Sequence, residues 1–137
     1  MAEPDAGAAQ FLCAGDALAE RGRAHLFDVV WHGEAVRAFA LRVDGRVVAY
    51  VNRCVHVPSE LDWVPGEFLD AERRHIVCAV HGATYDAPSG RCVGGPCGRG
   101  RLTAIAVEER ADGVYWYPSP AIRPRAPNAR PAEPPRR

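Results

Sequence analysis

Cys54-Val55-His56 and, after 21 intervening residues, Cys78-Ala79-Val80-His81 decide how this chain is read. Each bite pairs a thiolate, a soft anionic ligand, with a neutral, borderline imidazole. Two arrangements suit such a set: one tetrahedral zinc, or an iron-sulfur cluster with both cysteines on one iron and both histidines on the other. A Cys2His2 zinc finger would group its cysteines and place its histidines on a helical turn, whereas here the two types are mixed within each bite. Both bites also follow strand-like sequence, Tyr50-Val51-Asn52 and His75-Ile76-Val77. Two loops at one end of a sheet can close on a cluster from opposite sides, so the surroundings favour the cluster, with zinc as the alternative.

Working outward, the chain reads as short strands and turns. Residues 26–31 are rich in β-formers, His32-Gly33-Glu34 makes a turn, and 35–43 alternates Val36, Ala38 and Ala40 with Arg37, Phe39 and Leu41. Asp44-Gly45 is a hairpin signal, and 46–52 returns as a strand. Residues 75–79 and 83–87 are further apolar runs, Pro88-Ser89-Gly90 a turn, and 102–108 and 114–117 strands joined through Ala111-Asp112-Gly113. Only 16–23 suggests a short helix. The expected fold is all-β: an antiparallel sandwich or barrel base from 11–52 and 102–117, with a cluster-binding lobe of about residues 53–101 inserted into it. Residues 1–10 read as a flexible terminus. Seven prolines and five arginines among residues 118–137 read as a disordered, polyproline-like tail.

A chain of 137 residues, 47% apolar, holds enough for one core. Seventeen acidic residues balance seventeen basic ones, all of them arginine, so no global field steers the chain to nucleic acid or an anionic membrane. The tail carries five Arg against one Glu, which leaves the first 117 residues at net −4. No run of 18 apolar residues and no basic-then-apolar leader is visible, which gives the expectation of a cytoplasmic protein with no membrane partner. Five cysteines, two of them in ligand spacing, argue for a reduced compartment and against a secreted disulfide framework. Cys92 and Cys97, on either side of a Gly-Gly-Pro loop, are expected as reduced thiols and Cys13 as a small buried residue. His25, His32 and His75 lack a partner at ligand spacing. Asp62 and Asp86 supply no 2-His-1-carboxylate iron site, and Trp63-Val64-Pro65-Gly66 reads as a surface loop.

The two bites resemble the signature of the Rieske 2Fe-2S family, Cys-x-His followed at a distance by Cys-x-x-His. The resemblance continues through His81-Gly82-Ala83-Thr84-Tyr85-Asp86, Ser89-Gly90-Arg91 and Gly94-Gly95-Pro96-Cys97, which are similar to the family's second cluster loop, its following turn and its proline loop. It implies that Cys54, His56, Cys78 and His81 hold one 2Fe-2S cluster, with Tyr85, Gly82, Ala83 and Pro96 around it. Two ferric irons, two sulfides and two thiolates sum to zero charge. Adding an electron to that neutral centre is easier than adding one to an all-cysteine cluster, which places the type at about −150 to +300 mV.

The departures are informative as well. Where respiratory-chain and photosynthetic members join the two cluster loops by a disulfide, this chain has Ser59 and Val80. Where those members have a hydrogen-bonding serine, it has Ala83, while Tyr85 keeps a hydroxyl at the neighbouring position. Fewer donors imply a potential below that of the respiratory-chain members. The pattern is similar to the bacterial ferredoxin and oxygenase-type branch. The implied role is that of an electron carrier between a flavin- or nicotinamide-linked reductase and a terminal oxygenase, with Val57, Pro58, Gly82 and Pro96 as the docking rim. A complete oxygenase needs a second domain with its own mononuclear iron, for which 137 residues leave no room. A small subunit of a larger oxidoreductase and a zinc-stabilised interaction module are the alternatives.

Overall fold

The computed structural model describes residues 8–55 and 59–125. Of the expected site residues, His56, Val57 and Pro58 lie outside the described residues, as do 1–7 of the expected flexible terminus and 126–137 of the expected tail. The strands are β1 (Gln10–Cys13), β2 (His25–Trp31), β3 (Glu34–Val43), β4 (Arg46–Val51), β5 (His75–Val77), β6 (Thr84–Asp86), β7 (Cys92–Gly94), β8 (Ala106–Arg110), β9 (Gly113–Tyr117) and β10 (Ile122–Pro124). They form three antiparallel sheets, in the orders β1-β9-β8, β10-β2-β3-β4 and β5-β6-β7. The described residues contain no α-helix, so the fold is all-β as expected.

The four-stranded sheet is the middle layer, because β3 is apolar on both faces. Period-2 alternation sends Phe39, Leu41 and Val43 to one side and Val36, Ala38 and Ala40 to the other. The first set packs with Tyr50, Phe68, Ile76, Tyr85 and the two ligand cysteines; the second packs with Val29, Ala49, Val114 and Trp116. One face therefore carries the lobe and the other the three-stranded sheet of β1, β9 and β8. The hairpin turns set the register. His32 and Gly33 at φ 51° and 81°, and Asp44 and Gly45 at φ 55° and 78°, form left-handed two-residue loops whose twist matches the flanking strands. Trp31 accordingly faces Glu34, and Val43 faces Arg46.

The lobe leaves and re-enters this framework at one place. After β4 the chain runs through β5, β6 and β7 and comes back beside β4, where Val51 N–H donates to Thr103 O and Ile105 N–H to Ala49 O, both at 2.9 Å. Two aromatic contacts fix the lobe on the sheet. Phe39 stacks on Phe68 at 3.7 Å between ring centroids. The buried Tyr50 hydroxyl donates to Ala87 O at 2.7 Å. On the other side Arg42 of β3 forks onto Glu109 of β8 at 2.7 and 2.8 Å and donates to Leu18 O and Gly15 O.

Four expectations are corrected. Residues 16–23 form no α-helix but a single 3-10 turn at Gly15–Ala17. The backbone there is diverted to β3, Arg21 N–H donating to Arg42 O with Arg21 itself at φ 52°. The strand expected over 102–108 begins only at Ala106, because residues 103–105 pair with β4 as single bridges and bonds. Gln10, expected in the loose terminus, opens β1 opposite Trp116. The part of the expected tail from 118 to 125 includes β10, whose Ile122 is buried against β2 opposite Trp31. Pro124 is tolerated because β10 is an edge strand, where a missing N–H breaks no ladder.

Gly90 tests the docking of the lobe. It sits at φ 78°, and a Cβ there would lie 2.7 Å from Cε1 of Tyr50, a ring that is buried and hydrogen-bonded and so cannot swing away. Gly90→Ala should cost about 2–4 kcal/mol of apparent stability, combining left-handed strain with overpacking. Gly33→Ala, at φ 81° but in open space, should cost only about 1 kcal/mol. Comparing the unfolding midpoints of the two variants checks this; equal losses would mean that the Tyr50 contact carries no weight.

Candidate metal centre

Two loops present the ligand side chains, and local hydrogen bonds shape each one. In the first, Cys54 N–H donates to Ser59 O at 2.8 Å. In the second, Cys78 N–H donates to Ala83 O and Gly82 N–H to Cys78 O, both at 2.8 Å, which closes a tight loop around His81. Gly82 holds φ 77° in that loop, a conformation a side chain would oppose. Cys78 follows directly on β5 and Ala83 precedes β6, so the β5–β6 pair, with Val77 opposite Thr84, is the stem that aims the loop.

The ligand atoms of Cys54, Cys78 and His81 all lie within 4.8 Å of one another. The two cysteines are buried among apolar residues, whereas His81 stands at the surface. Two unlinked thiols and an imidazole converging in this way are a metal-binding donor set, and they fit a centre with a sulfur-ligated buried side and a nitrogen-ligated outer side. Burial pushes the Cys78 thiol up, while the backbone N–H groups of His81 and Val80 pull it down towards the thiolate. His56, expected as the fourth ligand, lies outside the described residues.

Tyr85 occupies the place expected of it, fully buried behind the cysteines. Its hydroxyl oxygen accepts the Val55 N–H at 3.1 Å, which leaves its own O–H for the Cys54 sulfur 3.6 Å away. Burial is the main reason its pKa is pushed up to about 12; the Val55 N–H opposes this and the Cys54 sulfur adds to it. The phenol thus stays protonated and able to donate. The Ala83 side chain is fully buried and contributes packing only, its carbonyl being the acceptor for Cys78 N–H. Gly82 and Pro96 are exposed. Gly95 brings the third loop against the second: a Cβ there would sit 2.6 Å from Gly82 O and 2.9 Å from Ala83 Cα.

Composition and spacing give no sign of Asn52, yet it organises the approach to both loops. It is buried at 1% exposure, accepts the Leu61 N–H at 2.8 Å and donates to Asp62 at 2.9 Å. Asp62 in turn accepts the Gly66 N–H, and Leu61 O accepts the Ala79 N–H beside Cys78. The only available signal is a polar residue at the end of an apolar strand. The same bonds show that Asp62 is used structurally. Asp86 likewise holds the turn after β6 by accepting from Ser89 N–H and Oγ–H. Trp63, 77% exposed, lies on the surface loop expected for it. His75 pairs with Asp70 at 3.5 Å rather than with a ligand.

One expectation about the cysteines is overturned. Cys92 and Cys97 are joined as a disulfide, with Cα atoms 5.8 Å apart. Four intervening residues with Gly95 at φ 80° fold the loop back on itself and bring the two side chains together. Spacing alone could not show that. Cys13, Cys54 and Cys78 are buried and outside any disulfide, and Ser59 and Val80 provide no bridge between the cluster loops.

Comparisons agree with this architecture. The chain is similar to the ferredoxin of carbazole 1,9a-dioxygenase from Nocardioides aromaticivorans IC177, at 23% identity and a TM-score of 0.62 over 81% of this chain and 97% of that one. A structure described as a complex of reduced oxygenase and oxidized ferredoxin in carbazole 1,9a-dioxygenase contains a chain similar at 20% identity and a TM-score of 0.62, over 81% and 94%. The terminal oxygenase of carbazole 1,9a-dioxygenase from Novosphingobium sp. KA1 is similar at 21% identity and a TM-score of 0.59, over 84% of this chain but 32% of that one. No curated protein sequence matches the chain significantly. The profile of the Rieske [2Fe-2S] domain matches residues 10–108. With that profile spanning most of the chain, the protein belongs to the Rieske [2Fe-2S] domain family, and its cofactor is a 2Fe-2S cluster.

Proposed function

We propose that this protein is a one-electron carrier of the ferredoxin kind, taking electrons from a flavin- or nicotinamide-linked reductase and passing them to a terminal oxygenase. The observation that carries this reading is the unequal burial of the ligands: Cys54 and Cys78 inside, His81 at the surface. In this reading Cys54 and Cys78 hold the inner iron and His56 and His81 the outer one. The cluster supplies a single electron-accepting site, and the imidazole edge is the shortest way out for the electron.

What surrounds that edge suits a transient partner. Val55, Val80 and Val93 are exposed apolar residues in the three loops, next to the exposed Gly82 and Pro96. With Val57 and Pro58 they form the proposed docking rim, apolar enough to exclude water and small enough to release. The similarity to the ferredoxin of carbazole 1,9a-dioxygenase over 97% of that chain supports a carrier over an oxygenase component. We place the carrier in the cytoplasm; no helix of the described residues is long and apolar enough to cross a membrane.

Anaerobic purification, visible absorption and electron paramagnetic resonance after dithionite test the proposal. A coloured protein that takes up one electron and then shows a rhombic signal is the expected result. A colourless, zinc-containing protein would overturn it. Firm copurification with a large oxidoreductase chain would replace the free carrier by a subunit. For the ligands, Cys78→Ser should abolish most cluster loading, and His81→Cys should lower the midpoint potential of whatever cluster is retained, since a thiolate adds negative charge. Unchanged spectra and potentials in both variants would defeat the assignment.

Tyr85→Phe removes the hydrogen bond to the Cys54 sulfur, together with the one from Val55 N–H to the same hydroxyl. Loss of the first removes a donor that stabilises the more negative reduced centre, so the potential should fall by on the order of 50 mV, equivalent to about 1 kcal/mol in a one-electron couple. Protein-film voltammetry at fixed pH reads that shift directly, and the cluster should still load normally.

A further inference from the structure

We propose that Cys92 and Cys97 are a second redox site, a two-electron disulfide–dithiol couple that a dithiol reductant can open, and that its state sets how firmly the third loop covers the cluster. The covering role rests on the ligand reading proposed above; the couple itself stands on the loop's own geometry.

The third loop is a small closed ring. Its Cα atoms at Cys92 and Cys97 are 5.8 Å apart, within the range of an ordinary disulfide. Cys92 N–H donates to Gly100 O and Gly100 N–H to Cys97 O, each at 2.9 Å. The ring leans on both ligand loops. Gly95 approaches Gly82 and Ala83, directly after His81, so closely that no side chain fits between them. Gly100 lies against Val55, directly after Cys54. Cys97 is 6% exposed and belongs to the same apolar cluster as Cys54 and Cys78, with its sulfur 3.8 Å from Thr84 O. The crosslink therefore ties a wall of the cluster chamber to the rim of the lobe.

The two sulfurs differ in access. Cys97 is buried, but Cys92 is half-buried and lines a cavity of about 420 Å³ together with Asp86, Ser89, Arg91 and Val93. Asp86, its carboxylate held by Ser89 N–H and Oγ–H, and Arg91 set one charge of each sign beside that approach. In the exchange, one thiolate of the reductant attacks Cys92 Sγ, the Cys92–Cys97 bond breaks, and Cys97 leaves as a thiolate that takes up a proton. The reductant's second thiol then attacks its own sulfur in the mixed disulfide and releases Cys92. The protein gains two electrons and two protons, and the dithiol leaves as a disulfide. Without the crosslink the loop keeps its two backbone bonds but loses its covalent closure, and water gains access to the ligand side of Gly82 and Val55.

The full chain, cluster-loaded and anaerobic, is equilibrated with reduced and oxidised dithiothreitol in a series of ratios. Each sample is divided. One part is quenched with iodoacetamide, and alkylation of Cys92 and Cys97 is read by peptide mass; the other is given a ferrous chelator, and cluster loss is followed by visible absorption. The expected result is one transition from unalkylated to doubly alkylated pair, with cluster loss several-fold faster on the reduced side. Cys97→Ser should lose its cluster at the fast rate in every ratio, which separates the effect of the pair from any action of dithiothreitol on the cluster. A pair that stays in one state across the series, or a transition that leaves cluster loss unchanged, overturns the proposal. A preparation with no 2Fe-2S absorption at the outset would count against the ligand reading, whereas the alkylation series still decides the couple.

Discussion

Everything in this protein hangs on β3 being apolar on both of its faces. A strand at the edge of a half-solvated sheet needs one buried side; β3 has two, with Phe39 and Leu41 turned to the lobe and Ala38 and Ala40 turned to the second sheet. The size difference is meaningful. Small alanines let the β1-β9-β8 layer approach closely, while the large residues reach across to meet Phe68 and Ile76 of the lobe. Because side chains alternate strictly, a one-residue slip of β3 would exchange these sets and place Phe39 where only alanine fits. The left-handed turns at His32-Gly33 and Asp44-Gly45 guard against that slip from both ends.

The same layer explains why the proposed cluster ligands can be both rigid and accessible. Cys54 follows β4 by three residues and Cys78 follows β5 by one, so both thiols remain in the core that the strands create. His81 is carried three residues beyond, immediately before the second loop turns at Gly82. Tyr50 and Asn52 complete the arrangement from the β4 side, one tying the lobe to the sheet through Ala87 and the other fixing Leu61 and Asp62 next to Ala79.

Much of this was legible in the sequence because the determining signals are local. The two hairpin turns, the alternation in β3 and the ligand spacing are each contained in a few consecutive residues, and the structure places Cys54, Cys78, His81 and Tyr85 together. What escaped depends on partners far along the chain. The suggestion of a helix at 16–23 fails because Arg21 finds Arg42 O and Glu20 caps the Asp44-Gly45 turn, contacts that local propensity cannot register. The strand β10 hides in a proline-rich stretch because its strength lies in one buried Ile122 and the open edge of β2. The Cys92–Cys97 bond depends on a loop conformation, and the role of Asn52 depends on Asp62, ten residues away.

Three loops meet at the ligands, and they are secured in three different ways. The first is held by Asn52 and by the Cys54 N–H bond to Ser59, the second by the β5–β6 stem, and the third by a covalent link. The difference follows from how regularly each loop's strands pair. β5 and β6 pair in register, whereas the pairing of β7 with β6 is irregular and the chain after it is rich in glycine. Glycine permits the close approach to Gly82 and Val55, but it also leaves the free loop with more backbone entropy to lose on folding. A short crosslink offsets that cost by restricting the unfolded loop, at least in the chain-entropy account of disulfides. Close contact with the ligand loops and covalent closure are therefore two parts of one solution: the residues that let the third loop reach the cluster are the ones that make it need a tie.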